Sequence, residues 1–215
     1  DKAESRGLGD VYKRQSLNSA SDAELNGDDC DLLNIDDFEV VLSEGFDNSQ
    51  DGSNLDYSGW VNFAEQGTEL WTEQVFRGNG YTEFSAYRTF EDVNIGWLVT
   101  PGFDLTGSTN SFINFKLAQH HLEDDQNNTL EVFISNDFDG SNVLAATWNK
   151  LSVQIPNMSN SWYAFQDSGL IDVSSYEGTI HIGFKYVGSG TNTSLDGGYF
   201  VAVSYTHLTL PTTKN

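Results

Sequence analysis

The sequence predicts an all-β protein, folded as an antiparallel two-sheet β-sandwich of the jelly-roll type. Short runs of alternating apolar and polar residues recur from residue 38 onward, and clusters of Gly, Asn, Asp or Ser close them. No stretch of twelve or more residues shows the apolar period of an amphipathic helix. Roughly nine or ten such strands fit a jelly roll, with a closed barrel as the alternative.

The first predicted strand is FEVVLS, in which alternation places Phe38, Val40 and Leu42 on one face. The same alternation predicts strands at residues 97–101, 112–117, 130–135, 151–156, 179–187 and 199–201. The best helix candidate, Ser141–Asn149, is barely two turns long. The order of strands contains no internal repeat, which disfavours a propeller or a solenoid.

The composition limits the partners. The 215 residues include 10 Lys+Arg and 32 Asp+Glu, giving a formal net charge of −22, so nucleic acid and anionic membranes are excluded as expected partners. No apolar run is long enough for membrane insertion as a spanning helix, and no signal peptide is visible. The single Cys30 excludes a disulfide framework within the chain, and its acidic surroundings predict an unreactive thiol.

The two ends differ from the middle. Residues 1–15 and 202–215 resemble translated sequencing-adapter sequence, as in a metagenomic fragment, and are predicted to be non-native tails. Residues 16–37 are small, polar and acidic, which predicts a flexible linker. The folded domain is then expected at residues 38–201, with its last strand truncated.

Motifs for catalysis are missing, so we expect no enzyme. The sequence has no G-x-S-x-G elbow, and His120 and His121 lack a zinc motif. Adjacent residues on a strand point to opposite faces, so these two are predicted to be ordinary loop or surface histidines. The acids at Glu91–Asp92 and Glu123–Asp125 are consecutive, which does not match the spacing of a glycosidase pair on one strand.

One acidic loop has partial calcium-binding spacing. DNSQDG places Asp47, Ser49, Asp51 and Gly52 at the first, third, fifth and sixth positions of a calcium loop. The twelfth position is Ser58 and not Glu, so an EF-hand is excluded. An Asx turn with solvated charge is the alternative explanation.

Aromatic side chains are the candidates for binding, because their faces stack on sugar rings. Trp71 is predicted to face outward because Glu69 and Glu73 lie beside it, whereas Trp97 and Trp162 are predicted to be buried among apolar neighbours. A loop feeding a strand is predicted around the Gly-Asn-Gly segment. The candidate ligand-binding residues are Trp71, Tyr81, Tyr87 and Arg88.

Several segments together carry a family resemblance: LSEGFD, a Gly-Trp pair, WLVTPGFDLTGSTN, LEVFISNDFDG and IDVSSYEGTIHIGFKYVG. Over residues 38–201 the order of these pieces resembles the choice-of-anchor J and cleaved-adhesin group of bacterial surface modules, jelly rolls related in shape to MAM-type domains. The resemblance implies a non-catalytic module of a secreted or surface-anchored multidomain protein, typically from the Bacteroidetes.

The resemblance also implies a structural calcium ion near the first and last strands. Carried onto this sequence, it points to Glu44 in LSEGFD and, as a weaker partner, to Asp196 in LDGGYF. Asp47 is the third predicted metal ligand, from the spacing of the acidic loop. The family normally closes with an Asp-rich strand, but here the chain departs from that pattern after residue 201.

Three functions are therefore open. The favoured one is an extracellular carbohydrate-binding or adhesion module that binds a glycan or cell-surface ligand beside other domains of the same parent polypeptide. The alternative is a calcium-stabilised spacer presenting a neighbouring domain. The third is a glycoside hydrolase, which needs two acids converging in a cleft.

Overall fold

The computed structural model describes residues 39–210 except positions 109, 193, 195 and 196, so Phe38, Cys30 and the predicted linker and N-terminal tail lie outside it. A 3-10 helix at Val143–Ala145 is all that forms where a two-turn helix was the best candidate. The strands are β1 (Glu39–Glu44), β2 (Val61–Gln66), β3 (Thr72–Phe76), β4 (Asn79–Ser85), β5 (Asn94–Val99), β6 (Phe103–Asp104), β7 (Asn110–His120), β8 (Thr129–Ser135), β9 (Asn149–Lys150), β10 (Gln166–Asp167), β11 (Ile171–Asp172), β12 (Thr179–Gly188) and β13 (Gly198–Leu210).

The strands form two antiparallel sheets, which confirms the predicted β-sandwich. The seven-stranded sheet has the order β10-β7-β13-β4-β3, with β1 also paired to β13 and β11 to β7. The six-stranded sheet has the order β2-β5-β12-β8-β9, with β6 also paired to β12. Neighbouring strands in each sheet are mostly distant in sequence, as in Greek-key and jelly-roll connections.

The main core lies between the two sheets and follows from period-two alternation. On β12 the side chains of Ile180, Ile182, Phe184 and Tyr186 are all fully buried, as predicted. Phe115 of β7 meets Phe184 edge to face, with ring centroids 5.1 Å apart. Such aromatic pairs contribute about 0.5–1.5 kcal/mol beyond their buried area. The two sheets are thus held together by alternating residues of their central strands.

A second apolar cluster covers the outer face of the six-stranded sheet. Trp97 of β5 packs against Trp148 with ring centroids 5.2 Å apart, and Phe138 and Val143 complete the cluster. The indole Nε1 of Trp97 donates a 2.7 Å hydrogen bond to Glu65. Strand β5 is consequently buried on both faces, and the predicted burial of Trp97 is confirmed.

Three local predictions were wrong. A bulge between Val40 and Leu42 breaks the alternation of β1, so Val40 is 52% exposed while Leu42 packs on the core. Residues 151–156 form no strand, although the amide of Leu151 donates to the carbonyl of Val132 in β8.

The Gly-Asn-Gly segment, residues 78–80, is not a loop. Phe76 pairs with Asn79, so only Arg77 and Gly78 connect β3 to β4. Both of these residues have positive φ, as a type I′ hairpin turn requires.

The last strand extends beyond the predicted domain boundary at residue 201. Strand β13 continues to Leu210 and pairs with β7 and, near its end, with β1. Its register against β7 shifts between Ala202 and Thr206, next to the predicted junction with the tail. Residues 202–210 therefore form part of the seven-stranded sheet. That residues 202–215 are a non-native tail stays a prediction.

Candidate functional site

Three neighbouring strands of the seven-stranded sheet, β4, β7 and β13, each have one terminus at the same edge, which runs across the strands. Gly198 at the start of β13 pairs with Ser85 at the end of β4 and with His120 at the end of β7. Alternation on β4 turns Thr82 and Phe84 into the core. It leaves Tyr81, Glu83 and Ser85 on the opposite face, so polar and aromatic side chains gather at this edge.

A cleft of about 350 Å³ opens at this edge. A site of that size is at the small end of the range for ligand pockets. Aromatic, imidazole and carboxylate groups share the lining with small residues. The lining residues are Ser85, Tyr87, His120, His121, Glu123, Trp162, Ser194 and Gly197. We call this site, together with Glu83 and Tyr163, which contact its histidines, the aromatic cleft.

Both histidines face the aromatic cleft, although they are adjacent in sequence. His120 ends β7, and His121 has a φ of 47°, so the chain leaves the strand direction between them. The rings then lie 5.6 Å apart, with His120 Nε2 3.3 Å from Glu83 Oε1 and His121 Nε2 2.8 Å from the Tyr163 hydroxyl. The strand-based prediction that they point to opposite faces was therefore wrong.

A Gly-Gly pair lets the imidazoles approach the sheet. A Cβ on Gly198 would lie 2.4 Å from His120 Nε2, and one on Gly197 would lie within 2.8 Å of the His120 and His121 carbonyl oxygens. Both distances are too short for real side chains, so larger residues would displace the histidines. These glycines are the sequence signal that could have located the cleft.

The segment that carries Trp162 and Tyr163 is held against β7 by a buried glutamine. Gln119 is fully buried and its side-chain Nε2 donates to the Asn160 carbonyl at 2.6 Å, while its backbone carbonyl accepts from the Tyr163 amide at 2.9 Å. The segment is thus fixed at two points while its aromatic side chains remain outside the core.

The aromatic side chains of the cleft are exposed and contact the histidine rings. Trp162 is 45% and Tyr163 54% exposed, so the prediction that Trp162 is buried was wrong. The Trp162 ring lies 4.1 Å from that of His121, and the Tyr163 ring stacks on His120 at 5.7 Å. Such contacts limit the rotation of each ring, which lowers the entropy lost when a ligand binds.

Two tyrosine hydroxyl groups near the cleft, those of Tyr81 and Tyr163, stay protonated over the whole physiological range. Burial, and then the charge of Glu83, raises the pKa of Tyr163. Burial and the nearby Glu83 and Asp51 raise the pKa of Tyr81 to about 12. Both tyrosines are therefore neutral hydrogen-bonding groups, which suits an uncharged polar ligand.

The four predicted ligand-binding residues have different positions. Tyr87 lines the aromatic cleft, is 44% exposed, and has the Arg88 guanidinium 4.9 Å from its ring centroid. Tyr81 lies on β4 and packs against Phe165, 6.0 Å between centroids. Trp71 is fully buried against Phe84, so its predicted outward orientation was wrong.

The misassignment of Trp71 has a physical cause. Its neighbour Glu73 is only 5% exposed, because its carboxylate accepts backbone hydrogen bonds from Gln50 at 2.6 Å and Asp56 at 3.2 Å. A buried carboxylate satisfied by amides is compatible with an inward strand face. Acidic neighbours therefore did not indicate exposure here.

The structure describes two of the three predicted calcium ligands. Glu44 Oε1 accepts a 2.7 Å hydrogen bond from the Phe46 amide, Asp47 is exposed, and Asp196 lies outside the described residues. Among the described residues, no group of three or more His, Cys, Asp or Glu side chains could hold a metal ion. The calcium site at Glu44, Asp47 and Asp196 stays a prediction.

Comparison with known proteins identifies the fold. No protein-family model matches the sequence, and no relative is found among curated proteins. Among solved structures, the K2 cleaved adhesin domain of Lys-gingipain is similar over 76% of this chain and 98% of its own, with 14% identity and a TM-score of 0.51. The K3 cleaved adhesin domain of Lys-gingipain from Porphyromonas gingivalis matches over 78% and 98%, with 17% identity and a TM-score of 0.51. The chain shares the fold of these cleaved adhesin domains.

This similarity agrees in fold with the cleaved-adhesin part of the resemblance seen in the sequence. It extends over most of the chain, but at 14% and 17% identity it assigns no site residue to this chain. Within the part of the chain that the structure describes, no helix is long and apolar enough to cross a bilayer.

Proposed function

We propose that this domain is a non-catalytic carbohydrate-binding or adhesion module, and that the aromatic cleft binds an uncharged glycan. The single observation that carries the proposal is the set of exposed yet anchored rings, Tyr87, Trp162 and Tyr163, around a cleft of about 350 Å³. Aromatic faces stack on the apolar C–H side of a sugar ring, and neighbouring polar groups bond its hydroxyls.

The polar groups of the cleft match the hydroxyl groups of a sugar. The Tyr163 hydroxyl, the two imidazoles and Ser85 offer both donors and acceptors. Glu83 and Glu123 add acceptor oxygens and negative charge, and the whole chain carries a net charge of −22. Repulsion therefore disfavours sulfated or uronic-acid polymers and favours neutral ones.

The direct test is binding of neutral glycans to the whole chain by glycan array and calorimetry. Trp162→Ala removes the indole ring of the cleft, and we expect this change to weaken glycan binding at least tenfold, which is about 1.4 kcal/mol. Phe76→Ala is the matched control, since Phe76 is 62% exposed but lies on the β3–β4 hairpin outside the cleft. Equal affinity of the two variants would contradict the proposal.

The test also separates the alternatives. A spacer domain would bind no glycan at all, whereas a glycoside hydrolase would release new reducing ends from a glycan that it binds. We expect binding without release. An extracellular setting, beside other domains of one parent polypeptide, belongs to the same proposal, because a glycan-binding module acts where glycans are displayed.

A further inference from the structure

We infer that the glycan site has a second, polar subsite beside the aromatic cleft, so that the ligand is a neutral oligosaccharide spanning both and not a single sugar unit. The subsite is a pocket of about 530 Å³, a volume within the range of ligand pockets. We call it the polar pocket, and the lining residues that concern us are Asp92, Asp124, Asn127, Thr191 and Asn192. This inference rests on the proposed function, because it extends the bound glycan beyond the cleft.

The polar pocket and the aromatic cleft are lined by the same three connections between the two sheets. The connection from β4 to β5 places Tyr87 in the cleft and Asp92 in the pocket. The connection from β7 to β8 places Glu123 in the cleft and Asp124 in the pocket, and that from β12 to β13 also contributes to both. Consecutive Cα atoms are only about 3.8 Å apart, so the two cavities are direct neighbours at one end of the sandwich.

Hydrogen bonds between the three connections hold the two cavities in one arrangement. Gly190 accepts from the Phe90 amide at 3.1 Å and donates to the Glu91 carbonyl at 2.9 Å. The buried Asn128 accepts through its Oδ1 from the Ser189 amide at 3.3 Å. A glycan that spans both cavities therefore meets walls that are already in place, which lowers the entropy cost of binding.

The lining of the polar pocket suits a neutral ligand rich in hydroxyl groups. Among the described residues that form it are amide, hydroxyl, carboxylate and aliphatic side chains, but none that is aromatic or basic. The Asp124 carboxylate already accepts from the backbone amides of Gln126 and Asn127, both at 3.1 Å, and from Asn127 Nδ2 at 2.7 Å. An anionic ligand would find no positive partner, and a cation would compete with these bonds.

Two exposed asparagines of the pocket offer one acceptor and one donor. Asn127 uses its side-chain Nδ2 on Asp124, and Asn192 uses its Oδ1 on the Ser194 amide at 3.1 Å. A carboxylate only accepts and a backbone amide only donates, so these partners fix the orientation of both side-chain amides. Within the described part of the chain neither amide makes a further side-chain hydrogen bond. Asn127 Oδ1 and Asn192 Nδ2 therefore remain for sugar hydroxyls.

Calorimetry of the whole chain with neutral glucose, mannose and xylose oligosaccharides, each from disaccharide to hexasaccharide, tests the subsite. Sugar units that follow the one stacked in the cleft reach the polar pocket at high effective concentration. We therefore expect affinity to rise at least about tenfold along the series that binds, with one glycan per chain. The double variant Asn127→Ala, Asn192→Ala should lose most of that rise. Asn149→Ala should keep it, because Asn149 is exposed on β9 and pairs with Ile134, at the other end of β8.

Thr191→Arg is the second variant, which keeps the test decisive if the double variant fails to fold. It adds a long side chain to the lining, so it should fill the pocket and also remove the rise. Equal wild-type affinity at every length, two hexasaccharides bound per chain, or a full rise in both variants would overturn the subsite and leave the proposed function standing. Binding of no oligosaccharide by the wild type would instead contradict the proposed function, and the subsite would fall with it.

Discussion

The outer faces of the two sheets use the same residue types in opposite ways. On the six-stranded sheet, Trp97 is 4% exposed, packs against Trp148 and donates a hydrogen bond to Glu65, so its indole is part of a core. On the seven-stranded sheet, Trp162 is 45% exposed and packs against His121 at a cleft. What covers each ring, and not the ring itself, decides whether a tryptophan stabilises the fold or is available to a ligand.

The largest expected effect is on the covered face. Trp97→Ala removes an indole that packs against Phe133 and Trp148. A large-to-small change of this kind costs about 3–5 kcal/mol. Urea denaturation of the whole chain should show that loss as a lower midpoint with an unchanged slope. A loss below about 1 kcal/mol would mean that the covered face is not a second core.

A smaller, pH-dependent effect is expected at Glu65 on the same face. Burial acts to raise the pKa of Glu65, but hydrogen bonds from Trp97 and from Lys185, 2.9 Å away, outweigh it and lower the pKa. Since the folded pKa lies below the unfolded one, the carboxylate stabilises the fold above the unfolded pKa, and this contribution disappears as pH falls through the folded pKa.

Glu65→Gln should therefore cost about 1 kcal/mol at pH 7, and the difference from wild type should shrink toward pH 3. Urea denaturation at both pH values measures it. Glu131→Gln is the control, because Glu131 pairs with the exposed Lys150 and such pairs contribute little. A cost at Glu65 that is equal at both pH values would disprove the ion-pair explanation.

The smallest expected effect is on the open face. Trp162→Ala should change the free energy of unfolding by no more than about 0.5 kcal/mol, because nearly half of the side chain is already in water. Together with the expected loss of glycan binding, this would separate a binding role from a packing role. Destabilisation comparable to that of Trp97→Ala would show that the two faces are equivalent after all.

Alternation along the chain was sufficient to predict the long central strands. β7, β8 and β12 each lie where apolar and polar residues alternate, and β12 buries the residues predicted for it. Residues 151–156 show the same pattern but lack a ladder. Leu151, Val153 and Ile155 pack on the core, so an alternating segment can satisfy its apolar face without pairing as a strand.

The candidate site was only partly predictable. Tyr87, a candidate ligand-binding residue from the sequence, lines the aromatic cleft with the Arg88 guanidinium near its ring. The part of both residues in binding stays a prediction. Trp162 and the histidine pair were missed, since their position depends on a left-handed residue at His121 and on a buried glutamine 41 residues from Asn160. Neither feature leaves a local pattern of hydrophobicity.

The sequence by itself determined the class of fold, because a two-residue period is a local property that each strand carries along its own length. It also determined the acidic character that disfavours anionic partners. Only the tertiary structure decided which aromatic rings are covered and which strands have their termini at the same edge. Those outcomes depend on contacts between residues distant in the chain, where packing and hydrogen bonding outweigh local composition.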